Sequence, residues 1–304
     1  MAGERTAAAA GDAVRVRVPA TSANLGPGFD TLGLALGMWD DVELAVGDGD
    51  GCVVEVEGEG AGRVPRDERH LVLRAARATF DRAGAPRAAL RLRCRNLIPH
   101  SRGLGSSAAA AVAGIVGARA LLAASHPLDD EAVLDLAAGF DGHADNAAAC
   151  LHGGLVVSWG HEGAWRAVRL SPHPALRPVA LIAERSSSTE ATRGLLPDRV
   201  PHTDAAYNAA RSALLVHALT NDPSLLLEAT EDRLHQPYRR PAYPETAAVV
   251  DHLRAEGVAA VVSGAGPTVL ALTLDGRLPD ALDTSGFTVR ALDVDTAGAR
   301  AEHV

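Results

Sequence analysis

Pro99 to Ala111 reads PHSRGLGSSAAAA. Gly103 and Gly105 permit backbone angles closed to other residues and let the chain approach a ligand closely. Ser106 and Ser107 follow at once. An alanine-rich run then continues to Ala124, with Val112, Ile115, Val116 and Leu121 at helical spacing. A glycine loop that empties into a helix start offers free N–H groups and a partial positive charge, which suits phosphate. The same letters also describe a plain glycine turn with Ser106 as N-cap. The neighbouring segments have to decide.

Upstream, Val14 to Val18 alternates as VRVRV, the pattern of a strand. It runs into TSANLGPGFDTLGLAL (21–36), a strand-exit loop that carries Asn24 and Asp30 and can set side chains over a cleft. Downstream, DGHADN (141–146) gathers Asp141, His143, Asp145 and Asn146. Such acids suit Mg²⁺, a hard cation that takes oxygen ligands. His143, beside a turn, reads as structural. SGAGPTVLAL (263–272) is a glycine turn between apolar runs, with Gly264 and Gly266 able to lie against phosphate. Arg193 in SSSTEATRGLLP and Arg239 in HQPYRRP offer the two-pronged fork that recognises a carboxylate.

Composition narrows the chemistry. The 304 residues are 47% hydrophobic, enough for one large or two medium cores. A net charge of −9 argues against a general nucleic-acid or anionic-membrane binder. All 29 basic residues are arginine. Without lysine there is no Walker A loop, no protein-kinase site and no Schiff base. Cys52, Cys94 and Cys150 are scattered, which fits a reduced, cytoplasmic protein rather than a disulfide frame. No run approaches the roughly 20 apolar residues of a membrane helix. Residues 1–13 read as a disordered lead-in.

Further strands are expected near 53–56, 90–94, 153–159, 179–184, 258–263 and 268–274, and helices near 70–83, 129–138, 204–220, 224–234 and 245–256. Glycines and prolines between 160 and 178 mark a boundary. The expectation is an α+β protein of two domains, 14–165 and 166–304.

Taken in order, the glycine segments resemble the three motifs of the GHMP kinases. PATSANLGPGFDTLGLAL, with GHADN, STEATRGLLP and QPYRRP, is most similar to the homoserine-phosphorylating branch of that family. The resemblance runs from about 14 to 270. It implies an N-terminal domain like domain 2 of ribosomal protein S5, a ferredoxin-like C-terminal domain, and a site between them. ATP phosphates would lie on Pro99, His100, Ser101, Arg102, Gly103, Leu104, Gly105, Ser106, Ser107, Ala108 and Ala109, with His70 near the adenine. Ser107 and Asp141 would hold Mg²⁺, with Asp135 as the alternative to Asp141. L-homoserine would meet Asn24, Asp30, Asn146, Arg193, Arg239 and Gly264, with Asp30 on its ammonium and the arginines on its carboxylate. Asn146, Thr189 and Arg193 would stand nearest the reacting hydroxyl. Several relatives have an aspartate base where Asn146 stands, and an asparagine cannot take a proton at neutral pH. The resemblance also implies a homodimer. Two other readings use the same residues: a GHMP kinase for mevalonate or shikimate, and an inactive nucleotide-binding sensor.

Overall fold

The computed structural model describes residues 10–49, 51–161, 163–186 and 192–304. Most of the expected lead-in therefore lies outside the described residues. Its last part is ordered: Gly11 donates to Val46 O, and the first strand starts at Ala13.

The chain runs β1 (Ala13–Ala23), β2 (Leu32–Val46), β3 (Cys52–Gly58), α1 (Leu71–Ala83), β4 (Leu90–Asn96), α2 (Ser106–Leu122), α3 (Asp130–Gly139), α4 (Asp145–His152), β5 (Leu155–Trp159) and β6 (Arg166–Leu170). It continues with β7 (Arg177–Ala183), α5 (His202–Thr220), α6 (Leu226–Ala229), α7 (Gln236–Arg239), α8 (Pro244–Ala255), β8 (Ala260–Val262), β9 (Val269–Thr273), β10 (Phe287–Ala291) and β11 (Arg300–His303).

The larger sheet has the order β11-β1-β2-β4-β3, and β5 and β6 extend it from the far end of β2. The valines of VRVRV point inward and its arginines outward, so Val14, Val16 and Val18 are fully buried. β3, α1 and β4 form a parallel β–α–β unit. α1 turns Val72, Leu73, Ala76 and Phe80 to the core and ends at Gly84 in the left-handed region, φ 67°. α2 is buried on nearly every side. It is built of alanine and glycine because neighbours press close: a Cβ at Gly114 would overlap Val72 O of α1.

The smaller sheet is antiparallel with the order β10-β7-β9-β8. Numbered along the chain, that is 4-1-3-2, the ferredoxin-like order. α5 to α8 fill the first crossover. No helix stands between β9 and β10, where 274–286 is irregular. The helix expected over 224–234 is a 3₁₀ turn at Pro223–Leu225 and the single turn α6. The chain leaves the helix at Thr230, and the Asp232 carboxylate then accepts the N–H groups of Leu234, His235 and Gln236 at the entry to α7.

The sheets do not divide the chain at one cut. β6, at 166–170, pairs with β5 in the larger sheet, and β11 returns there to pair with β1. Both are short and mostly exposed, so their letters carry little apolar alternation.

One buried acid holds the chain where it leaves β4 towards Pro99. Asp40 of β2 accepts N–H bonds from Leu97 and Ile98 at 2.7 and 2.9 Å. Burial pushes its carboxyl up to about 6, against the pull of those two donors. A carboxyl whose pKa rises on folding favours the fold while it is protonated. That contribution is complete below an unfolded pKa of about 3.9 and is lost as the pH rises through 6. Asp40→Asn keeps an acceptor and removes the charge. Its stability relative to wild type is expected to climb by on the order of 3 kcal/mol between about pH 4 and pH 7. Urea titrations at the two pH values check this, and a constant difference would mean that the carboxylate is not desolvated.

Candidate active site

The three glycine segments meet where the sheets face each other. Thr21 donates its N–H to Leu104 O, and Gly264 donates to Ala23 O. Ser263 Oγ lies 2.8 Å from Ser22 Oγ and donates to Gly103 O at 2.6 Å. Asn24 Nδ2 donates to Gly264 O at 2.8 Å, while its Oδ1 accepts the Asp30 N–H at 3.0 Å. The register shifts between Pro19 and Ala20, where Gly37 and Met38 of β2 bulge out of the pairing, just before β1 delivers these residues.

A cleft of about 390 Å³ opens at this junction. The phosphate-loop segment supplies Ser101, Arg102, Gly103, Gly105, Ser106, Ser107 and Ala108 to its wall. Gly103 and Gly105 have φ of 76° and 67°. A Cβ on Gly103 would overlap Ser263 O, and one on Gly105 would overlap Thr21 Oγ1. Gly105 caps α2, so the free N–H groups of that helix open into the cleft. Leu104 turns the other way and is buried in the core.

Ser101, Ser106 and Ser107 are shared with an adjoining cavity of about 240 Å³, which His70, Leu71, Asn96, His100 and Ala109 also line. Pro99 lines neither space. His70 is the N-cap residue of α1, but its side chain makes no capping hydrogen bond. Its Nδ1 is buried without a partner. Burial, with His100 nearby, lowers its pKa and keeps the ring neutral.

The acidic segment closes the other wall. Asp141 Oδ1 accepts from Ser107 Oγ at 3.0 Å, which brings two oxygen donors to the start of α2. Burial raises the Asp141 carboxyl, and the Ser107 hydroxyl opposes that. Asp135 is engaged elsewhere: it sits in α3 and accepts the Trp165 N–H at 2.7 Å. Thr21 Oγ1 donates to Asn146 Oδ1 at 2.8 Å, which leaves the amide NH₂ of Asn146 for a ligand.

His143, read from the sequence as structural, lines the cleft. Its Nδ1 lies 2.6 Å from Oδ1 of the fully buried Asp145. Burial would lower the His143 pKa, but Asp145, with Asp30 and Asp141 beyond, raises it overall. Asp30, His143 and Asp145 bring donor atoms within 4.8 Å of one another. No spacing rule marked His143. Its partner two residues on, at the first turn of α4, was the available signal.

From the smaller-sheet side come two arginines. Arg193 grips Asp30 bidentately at 3.0 and 2.8 Å. Arg239 is 1% exposed, and its hydrogen-bond partners among the described residues are neutral: Thr192 O, Gly264 O and His235 Nδ1. Burial lowers its pKa, and Arg193 adds to that. Thr189 lies outside the described residues.

Residues 70–154 match the model of the GHMP kinases N terminal domain, and 210–283 that of the GHMP kinases C terminal domain. The chain belongs to the GHMP kinases. This GHMP kinase is 54% identical to a homoserine kinase of Streptomyces avermitilis, over 94% of its own length and 95% of the relative's. It is 51% identical to a homoserine kinase of Rhodococcus erythropolis, over 93% and 94%. Among solved structures, a homoserine kinase from Cytophaga hutchinsonii superposes with a TM-score of 0.84 at 26% identity, covering 96% of this chain and 98% of that one.

The loop geometry of this GHMP kinase predicts that Gly103→Ala costs about 1–3 kcal/mol of stability, from its left-handed backbone alone. Contact with Ser263 O should add to that and weaken ATP binding. Thermal melting and nucleotide calorimetry check both. Unchanged ATP affinity would mean that the loop does not carry the phosphates.

Proposed function

We propose that this GHMP kinase transfers the γ-phosphoryl group of ATP to the hydroxyl of L-homoserine, giving O-phospho-L-homoserine and ADP, a step towards threonine. One observation carries the substrate reading. Arg239 is a guanidinium taken out of water whose hydrogen-bond partners among the described residues are neutral, with Asp30 and Asp232 acting on it only through space. A cation so placed is costly unless an anion joins it. Beside it, Asp30 and Arg193 saturate each other through two hydrogen bonds. An amino acid offers an ammonium to Asp30 and a carboxylate to the two arginines. Mevalonate and shikimate offer no ammonium.

The remaining roles follow from phosphoryl-transfer chemistry, which needs positioning and charge neutralisation more than covalent work. The N–H groups at the start of α2 would receive the phosphates, and the cavity beside His70 would take the base. Ser107 and Asp141 would hold Mg²⁺, whose charge would offset that of the phosphate oxygens. Asn146 would hold the substrate hydroxyl through its NH₂ without accepting its proton, which would pass to the phosphate or to water. Among the described residues, no helix is long and apolar enough to cross a membrane. The three free cysteines suit a cytoplasmic setting.

A coupled ADP-release assay with Mg·ATP, offering L-homoserine beside mevalonate, shikimate and L-serine, tests the reading. Selective turnover of homoserine is expected. ATP binding without turnover of any alcohol would favour a sensor. Arg239→Ala should lower kcat/KM for homoserine by the equivalent of about 2–5 kcal/mol and leave ATP affinity near wild type. Equal loss of both would misplace Arg239. Ser107→Ala should move the Mg²⁺ titration to higher concentration, and superimposable curves would leave Ser107 as helix structure only.

A further inference from the structure

Phe29 lies in the loop between β1 and β2, one residue before Asp30. Its ring does not line the cleft. Three groups converge on it. The imidazole of His235 stacks on it, with centroids 5.1 Å apart and planes 26° from parallel. The guanidinium of Arg239 stands 5.5 Å from the ring centre, and that of Arg193 stands 5.6 Å away. His235 is fully buried, is tied to Gly26 O at 2.9 Å, and meets Arg239 Nη1 through Nδ1.

Two like charges held near one another repel, and Arg193 does act on Arg239 in that sense. Asp30 spends its hydrogen bonds from the arginines on Arg193 and reaches Arg239 only through space. An aromatic face attracts cations through its quadrupole, more strongly where water is excluded. The Phe29 ring therefore counters the repulsion before any substrate carboxylate arrives. It is also fixed in place. Its loop is clamped from the smaller-sheet half by Asn208, which donates to Pro27 O at 2.8 Å, and by His235 on Gly26 O.

We propose that Phe29 is a positioning residue for substrate selection: its ring, backed by His235, holds the Arg193 and Arg239 guanidiniums as a preassembled carboxylate-binding pair. The inference rests on the reading of the cleft as an amino-alcohol kinase site. It assigns Phe29 no part in phosphoryl transfer.

Steady-state kinetics on the full chain test it, with homoserine and ATP varied separately. Phe29→Leu, and Phe29→Met as a second ring-free variant, should raise the KM for homoserine roughly tenfold. The KM for ATP, kcat and the melting temperature should stay near wild type. Phe29→Tyr, which keeps the aromatic face, should restore the KM. In an Arg239→Ala background, Phe29→Leu should add much less than it does alone, because the ring acts through that arginine. An unchanged homoserine KM in both ring-free variants would overturn the proposal while leaving the homoserine reading intact. So would parallel rises in both KM values, the signature of general loosening. Wild-type protein that phosphorylates only an uncharged alcohol would overturn the substrate reading and this inference with it.

Discussion

The site depends on a backbone contact that tolerates no side chain. Gly103 packs its Cα against Ser263 O, and Ser263 returns a hydrogen bond to Gly103 O. The first residue belongs to the loop that opens α2, and the second to the turn between β8 and β9. Ser22 and Ala23 at the end of β1 complete the junction. A β-carbon at Gly103 would push the two sheets apart at the point where the cleft forms. The glycines are thus a condition for closing the two halves as much as for phosphate approach. Asn24 shows the same economy. Held at φ 69°, it uses one end of its amide on Gly264 and the other on Asp30, so a single side chain fixes both the turn and the acid.

The electrostatics follow from a chain without lysine. A guanidinium keeps its charge when buried, whereas an ammonium readily loses its proton. Arg239 can therefore sit at 1% exposure and remain a cation. Asp145, equally buried, is served by His143 and by the Asn146 N–H, while its Oδ2 has no partner. Charges so confined cost stability unless a ligand answers them. Arg239 lines the cleft itself, where a bound anion can relieve it, and Asp145 reaches the cleft through His143.

Much of this was legible in the letters. VRVRV gave its strand, Gly84 its helix end, and the order of three glycine loops gave the family. The reasons for the failures are local. A carboxylate that captures N–H groups between two short turns, as Asp232 does, leaves no periodic trace. β6 and β11 pair at sheet edges with their side chains in solvent, so alternation could not reveal them. Asp135 and Asp141 look equivalent in sequence, and only the fold turns one towards Trp165 and the other towards Ser107. Phe29 and His235 are far apart in the chain, and only the fold brings their rings together beside Arg239.

Arg102 illustrates how residue type and role separate. In a glycine loop before a helix, an arginine reads as a phosphate clamp. Here each of its three guanidinium nitrogens donates to a carbonyl: Nε to Ala183 O, Nη1 to His100 O and Nη2 to Glu184 O. Ala183 ends β7, so the side chain is a strut between the phosphate loop and the smaller sheet. Freeing it for a ligand would strand three carbonyls and loosen the loop that the ligand needs. On the proposed reading, the N–H groups of α2 and a metal ion on Ser107 and Asp141 would meet the phosphates directly, with Arg102 adding its charge from the cleft wall. A strut in this position also ties the loop's geometry to the end of β7. In the chain order, that is the strand leading into the segment that carries Arg193, so the glycine loop and the arginine side of the cleft share one mechanical support.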